Sequence, residues 1–204
     1  MKHGLIWMLM LWALPVAADP VDNVAAAAQA AFDQMPDLRR VDRIAGLCGA
    51  DGTVNDQVAY CTSRNVIYVT DAAARLPESA YLVAHVFGHA VQVRHGVADV
   101  ALGQIRARRD EEQMLRGQVE RQVDCIAGFL VARAGLGPAR LADWMTDDPL
   151  AGPHWGRDPL RVGPAVGVDL DARDRWFQRG QGGDLGACAT AEFGADLLIA
   201  ALRG

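Results

Sequence analysis

The sequence predicts an α+β fold, mainly helical, with a small antiparallel β-sheet in its N-terminal part. Three observations carry this expectation. The stretch Tyr81–Gln92, YLVAHVFGHAVQ, places apolar residues Leu82, Val83, Val86 and Val91 at helical spacing. Residues 110–134 form a second long helical pattern that closes on Gly135 and Gly137. Between the N-terminus and these helices, Val58–Cys61 and Val66–Thr70 are short, rich in Val and Tyr, and separated by Ser63-Arg64-Asn65.

Taken in order, the alanine-rich run Val21–Met35 reads as a helix with Asp22 or Asn23 as cap, ended by Pro36. Arg40–Leu47 reads as a strand, and 49–56 as turn, because Gly, Asp and Asn crowd together there. The two Val/Tyr strands follow. Pro77-Glu78-Ser79 opens the histidine-bearing helix, which runs to about Arg94 and stops at Gly96. Val97–Arg109 reads as a connector. Asp110 caps the second long helix, with Glu111 and Glu112 in its first turn. Pro138 starts a shorter helix to Met145. Residues 146–167 read as a long surface loop, Asp169–Gly180 as a helix, and Thr190–Leu202 as a last apolar helix.

The chain has 204 residues, of which 51% are hydrophobic and 22% charged, enough to bury one core and too apolar for disorder. The formal net charge is −5 and Lys2 is the sole lysine. With no basic tract and no interleaved aromatics, nucleic-acid binding is excluded as a function class. Residues 1–18 read as a secretory signal peptide. Lys2 and His3 start it, Gly4–Leu14 is its apolar core, and Val16-Ala17-Ala18 is its cleavage site. That core is shorter than the roughly 20 residues a spanning helix needs, so no stable membrane insertion is expected after cleavage. A single domain, 19–204, would then reside in the periplasm or be secreted. Four cysteines remain: Cys48, Cys61, Cys125 and Cys188. An even count in an exported chain reads as two disulfides. Three pairings are possible; Cys48 with Cys61 closes a local loop and leaves Cys125 with Cys188, the alternative being that one cysteine, Cys125, ligates a metal.

The chemistry centres on His85 and His89. Four residues is just over one helical turn, so both imidazoles leave one face and can reach one ion. This is the spacing of H-E-x-x-H, in which two histidines bind zinc and the glutamate is the general base of a metallopeptidase. The glutamate position holds Val86. A zinc site needs a third ligand. The second long helix offers Glu120 and Asp124, four apart and on one side. Asp124 suits the outer-shell role of accepting a ligand histidine's second N–H. Taken alone, that acidic pair also reads as a solvated helix face.

At this point the chain resembles the bacterial neutral zinc metallopeptidase family. YLVAHVFGHAVQ is similar to that family's Y-x-x-A-H-E-x-G-H-x-x-Q, and ERQVDCIAG to its E-x-Q-A-D-C-x-A-G. Cys48-Gly49 with Tyr60-Cys61 resembles its paired-cysteine hairpin. Arg175-Trp176-Phe177, Gly183-Asp184 and Ala187-Cys188 resemble its C-terminal ending. The resemblance implies a zincin-like fold, zinc as cofactor on His85, His89 and Glu120, and Asp124 behind a ligand. It also implies disulfides Cys48–Cys61 and Cys125–Cys188, and a peptide or protein ligand at the metal cleft.

Two departures set the functional expectation. Val86 replaces the family's glutamate, and Gly167-Val168 stands where the family carries His-Gly ahead of R-W-F. The glutamate takes a proton from the attacking water and passes it to the leaving amine, and valine can do neither. Losing such a group costs roughly 10²–10⁴ in rate. Glu78 lies seven residues before His85, too far along the helix to substitute. No intact catalytic residue is therefore expected, and the leading reading is a metal-binding pseudo-peptidase. One alternative is an active hydrolase whose base comes from the 146–167 loop, His154 or Asp158. Another is a metal-free interaction module.

Overall fold

The computed structural model describes residues 19–50, 54–150 and 166–203. The segment 1–18, expected to be a signal peptide, and the loop residues His154 and Asp158 lie outside these. Six helices and three strands are named here: α1 (Pro20–Ala31), β1 (Asp37–Val41), β2 (Val58–Cys61), β3 (Val66–Thr70), α2 (Ser79–Arg94), α3 (Val97–Ala107), α4 (Glu112–Arg133), α5 (Leu170–Gln181) and α6 (Asp196–Ala200). The α+β, mainly helical class is observed. No helix among the described residues is long and apolar enough to cross a membrane.

The sheet has the order β1-β3-β2 and is mixed, which corrects the expected antiparallel arrangement. β2 and β3 form the antiparallel hairpin, with Cys61 opposite Val66, while β1 lies parallel to β3 with Asp37 opposite Val66. The first strand also starts earlier than the Arg40–Leu47 expectation and ends at Val41. Residues 44–50 fold back instead, with Gly46 and Gly49 at positive φ. This segment explains why β2 and β3 are buried along their whole length. Val58, Tyr60, Ile67 and Val69 face the helical core. The alternate residues Ala59, Cys61, Val66 and Tyr68 pack under Ile44 and Ala50. The Cys48–Cys61 disulfide staples that cover to the hairpin.

α2 is the central element. Its residues from Ser79 to Gln92 are all buried, as expected of a helix apolar on every side. α4 crosses it, and α5 packs on α4 more closely than side chains allow. A Cβ on Gly128 would lie 1.9 Å from the Phe177 carbonyl oxygen, and one on Gly180 would lie 1.8 Å from that of Cys125. The two glycines thus let the backbones of α4 and α5 touch. The Cys125–Cys188 disulfide fastens α4 to the turn after α5. The two cross-links span 13 and 63 residues, worth roughly 3 and 4 kcal/mol by loop closure.

Several expected boundaries shift for identifiable reasons. α1 is capped by Asp19, whose Oδ1 accepts from Val21 N at 2.9 Å, and it stops at Ala31 because Phe32 pairs with Leu202. The expected connector 97–109 is largely helix α3. Its Val97, Ala98, Ala101 and Ile105 are buried, the last two against Leu115, Val119 and Phe193. α4 begins at Glu112 without a side-chain cap from Asp110. The expected helix 138–145 shrinks to one 3₁₀ turn, Leu141–Asp143. There Gln181 binds both backbone groups of Ala139 at 2.8 Å, and the Asp174 carboxylate accepts from Leu141 N at 2.7 Å. These long-range bonds replace helical ones. The last helix is confined to Asp196–Ala200, since Thr190 and Phe193 form a turn of their own.

A methyl group at the α4–α5 contact must push two backbones apart. Gly128→Ala is expected to destabilise the protein by about 1–3 kcal/mol or more, measured as a lower midpoint of chemical unfolding. An unchanged midpoint would contradict the close approach.

Candidate metal centre

The histidine helix meets α4 at Gly88, in the turn between His85 and His89. A Cβ there would come within 3.0 Å of Val123 Cγ1 and 3.1 Å of the Val123 carbonyl. The missing side chain lets α2 settle against the segment of α4 that carries Glu120 and Asp124. Both imidazoles are fully buried, and Glu120 is 6% exposed. His85 Nε2 lies 3.4 Å from Glu120 Oε2, and His89 Nε2 lies 3.6 Å from Glu120 Oε1. One donor atom from each of the three residues falls within 4.8 Å of the others, so the group could hold a metal ion.

The donor geometry can be compared with a known coordination shell. Nitrogen and oxygen ligands about 2.05 Å from a tetrahedral zinc stand about 3.3 Å from one another. The observed 3.4 and 3.6 Å separations, one to each oxygen of the Glu120 carboxylate, are of that size. Two imidazoles and a carboxylate are also the chemistry zinc accepts. The residues present therefore fit the ion.

Asp124 stands behind His85. It is fully buried, and its Oδ1 accepts from His85 Nδ1 at 2.9 Å and from the Tyr81 hydroxyl at 2.8 Å. The first bond leaves the His85 Nε2 lone pair turned toward Glu120, the orientation a ligand needs. From α5, Arg173 Nη1 donates to both Asp124 oxygens at 3.1 Å and lies 3.7 Å from Glu120 Oε2. Its Nε and Nη2 reach Asp148 Oδ2 at 3.2 Å.

The electrostatics point one way. Burial pulls the His85 imidazole down, but Asp124 and Glu120 outweigh it and the net shift is upward. Burial first, and the Asp124 charge second, push the Tyr81 hydroxyl well above its usual range, with Arg173 acting against them. Burial opposes the Arg173 charge too, and attraction by Asp124 foremost keeps it protonated. Positive charge is thus favoured at this spot.

Val86 is fully buried in the main core, one residue past His85. Gly167 and Val168 lie just ahead of α5 and bring no ionisable group. Glu78, immediately before α2, lines a cleft of about 460 Å³ with Trp144, Met145, Asp147 and Asp148, the last of which is held by Arg173. Three participants carried no assigned role in the sequence reading: Tyr81, Arg173 and Asp148. Tyr81 was within reach, since it precedes His85 by four residues and shares its helix face. Nothing in the local sequence directs Arg173 to a carboxylate 49 positions away.

A family model described as putative neutral zinc metallopeptidase matches residues 47–148, half of the chain. That span holds His85, Val86, His89, Glu120, Asp124 and Asp148, and ends before Arg173. No curated protein and no solved structure matches the chain.

Removing the common acceptor should cost far more than removing one donor. Asp124→Ala leaves a buried guanidinium without its main partner and is expected to lose about 3–5 kcal/mol. Tyr81→Phe removes one neutral hydrogen bond and should lose about 1 kcal/mol. Urea unfolding of the two variants measures the gap, and equal losses would contradict a hub at Asp124.

Proposed function

Because the chain belongs to the neutral zinc metallopeptidase family, we propose that it is an exported member that holds zinc on His85, His89 and Glu120 but hydrolyses peptides weakly or not at all. The observation that carries this reading is the pairing of a buried His/His/Glu donor set with valine in the turn between the two histidines. Zinc, when bound, supplies Lewis-acid polarisation of a carbonyl. His85, His89 and Glu120 hold it, Asp124 orients His85, and Tyr81 and Arg173 hold Asp124. Val86 can neither accept a proton from water nor deliver one to a leaving amine. Ligand binding does not depend on that group, so metal affinity can outlast peptidase activity.

The role left to such a site is recognition of a peptide or protein ligand at the metal cleft. Export is supported by the signal-like first 18 residues and by two disulfides, which suit an oxidising compartment.

Purified wild-type protein is expected to contain stoichiometric zinc by elemental analysis, and His89→Ala is expected to lose it. Stoichiometric zinc in both would refute this ligand set. In a peptide-hydrolysis assay, wild type should fall below Val86→Glu by roughly 10²–10⁴. Full peptide turnover by the wild-type protein, lost on zinc removal, would end the pseudo-peptidase reading.

A further inference from the structure

Arg173 is 1% exposed, and the partners of its guanidinium among the described residues are carboxylates: Asp124, Glu120 and Asp148. Counted formally with the acids ionised, these four described side chains carry three negative charges and one positive. A dication between His85, His89 and Glu120 adds two positive charges to them. Take the guanidinium away, and the sum becomes −3 without metal and −1 with it. Asp124 and Glu120 are buried and Asp148 is partly exposed; self-repulsion at the buried pair grows faster than linearly with net charge, so the loss should weigh most on the metal-free state. We propose that Arg173 is the resident counter-ion of the metal centre, the charge that lets its carboxylates stay buried and its histidines stay oriented before metal arrives. The inference rests on the zinc-site reading and adds to it a residue on α5, beyond the span matched by the family model.

A counter-ion and a packing residue make different predictions about metal dependence. Loss of packing lowers stability equally with and without zinc, whereas loss of the counter-ion lowers it chiefly without. Thermal unfolding of the full chain, with both disulfides intact, is followed in EDTA and in excess zinc. The proteins compared are wild type, Arg173→Met, Arg173→Lys and His89→Ala.

Arg173→Met is expected to lower the midpoint by about 10 °C in EDTA and by less than half of that in zinc. Arg173→Lys keeps the charge and should recover most of the EDTA loss. If Arg173→Met fails to fold in EDTA and folds in zinc, the inference is upheld in its strongest form. Equal losses in both conditions, including failure to fold in both, overturn it, as does a lysine variant no better than methionine. The underlying zinc reading fails by a different pattern, in which zinc moves the wild-type midpoint no more than that of His89→Ala.

Discussion

The carboxylate of Asp124 is the interaction on which the site's geometry turns. It is fully buried in α4 and accepts from Tyr81 and His85 of α2 and from Arg173 of α5. A buried carboxylate without donors is costly, so three elements are bound to one relative arrangement by the need to satisfy it. The bond to His85 matters most for chemistry. It orients the ring and leaves the far nitrogen available 3.4 Å from Glu120.

Such a network needs close backbones, because short side chains such as Asp reach only a few ångströms. Glycine makes the approach possible. Gly88 lets α2 settle on α4 at Val123, next to Asp124, and Gly128 with Gly180 lets α5 settle on α4 as well. The two disulfides act further out. Cys125 directly follows Asp124 and anchors the same helix to the turn at 185–188, while Cys48–Cys61 holds the cover over the sheet. The sheet packs Val58, Tyr60, Ile67 and Val69 into the same core as α2.

Much of this was legible beforehand. The histidine pair, Glu120 and Asp124 each lie four apart on one helix, and helical periodicity puts such pairs on one face whatever the rest of the chain does. The hairpin was legible for a similar reason: pattern and turn chemistry are both local. What failed to be legible depends on distant partners. Residues 138–145 have the composition of a helix, but Asp174 and Gln181 claim their backbone groups. The parallel partner of β3 is a strand 29 positions earlier in the paired register, and nothing in either segment announces its direction. The α3 helix is the exception, since its buried positions do follow a helical period.

The linear order of residues determined which side chains could bind an ion, that a valine follows the first histidine, and that four cysteines were available to cross-link. Each follows from composition or from a repeat shorter than two helical turns. Only the tertiary structure decided that the two helices put those donors within 4.8 Å of one another, and that an arginine from a third helix pairs with Asp124. The physical reason is range. Helical periodicity acts over a few residues, whereas pairing a buried charge is a condition on whatever the fold brings alongside, and α5 is brought there by two glycines rather than by any pattern near Arg173.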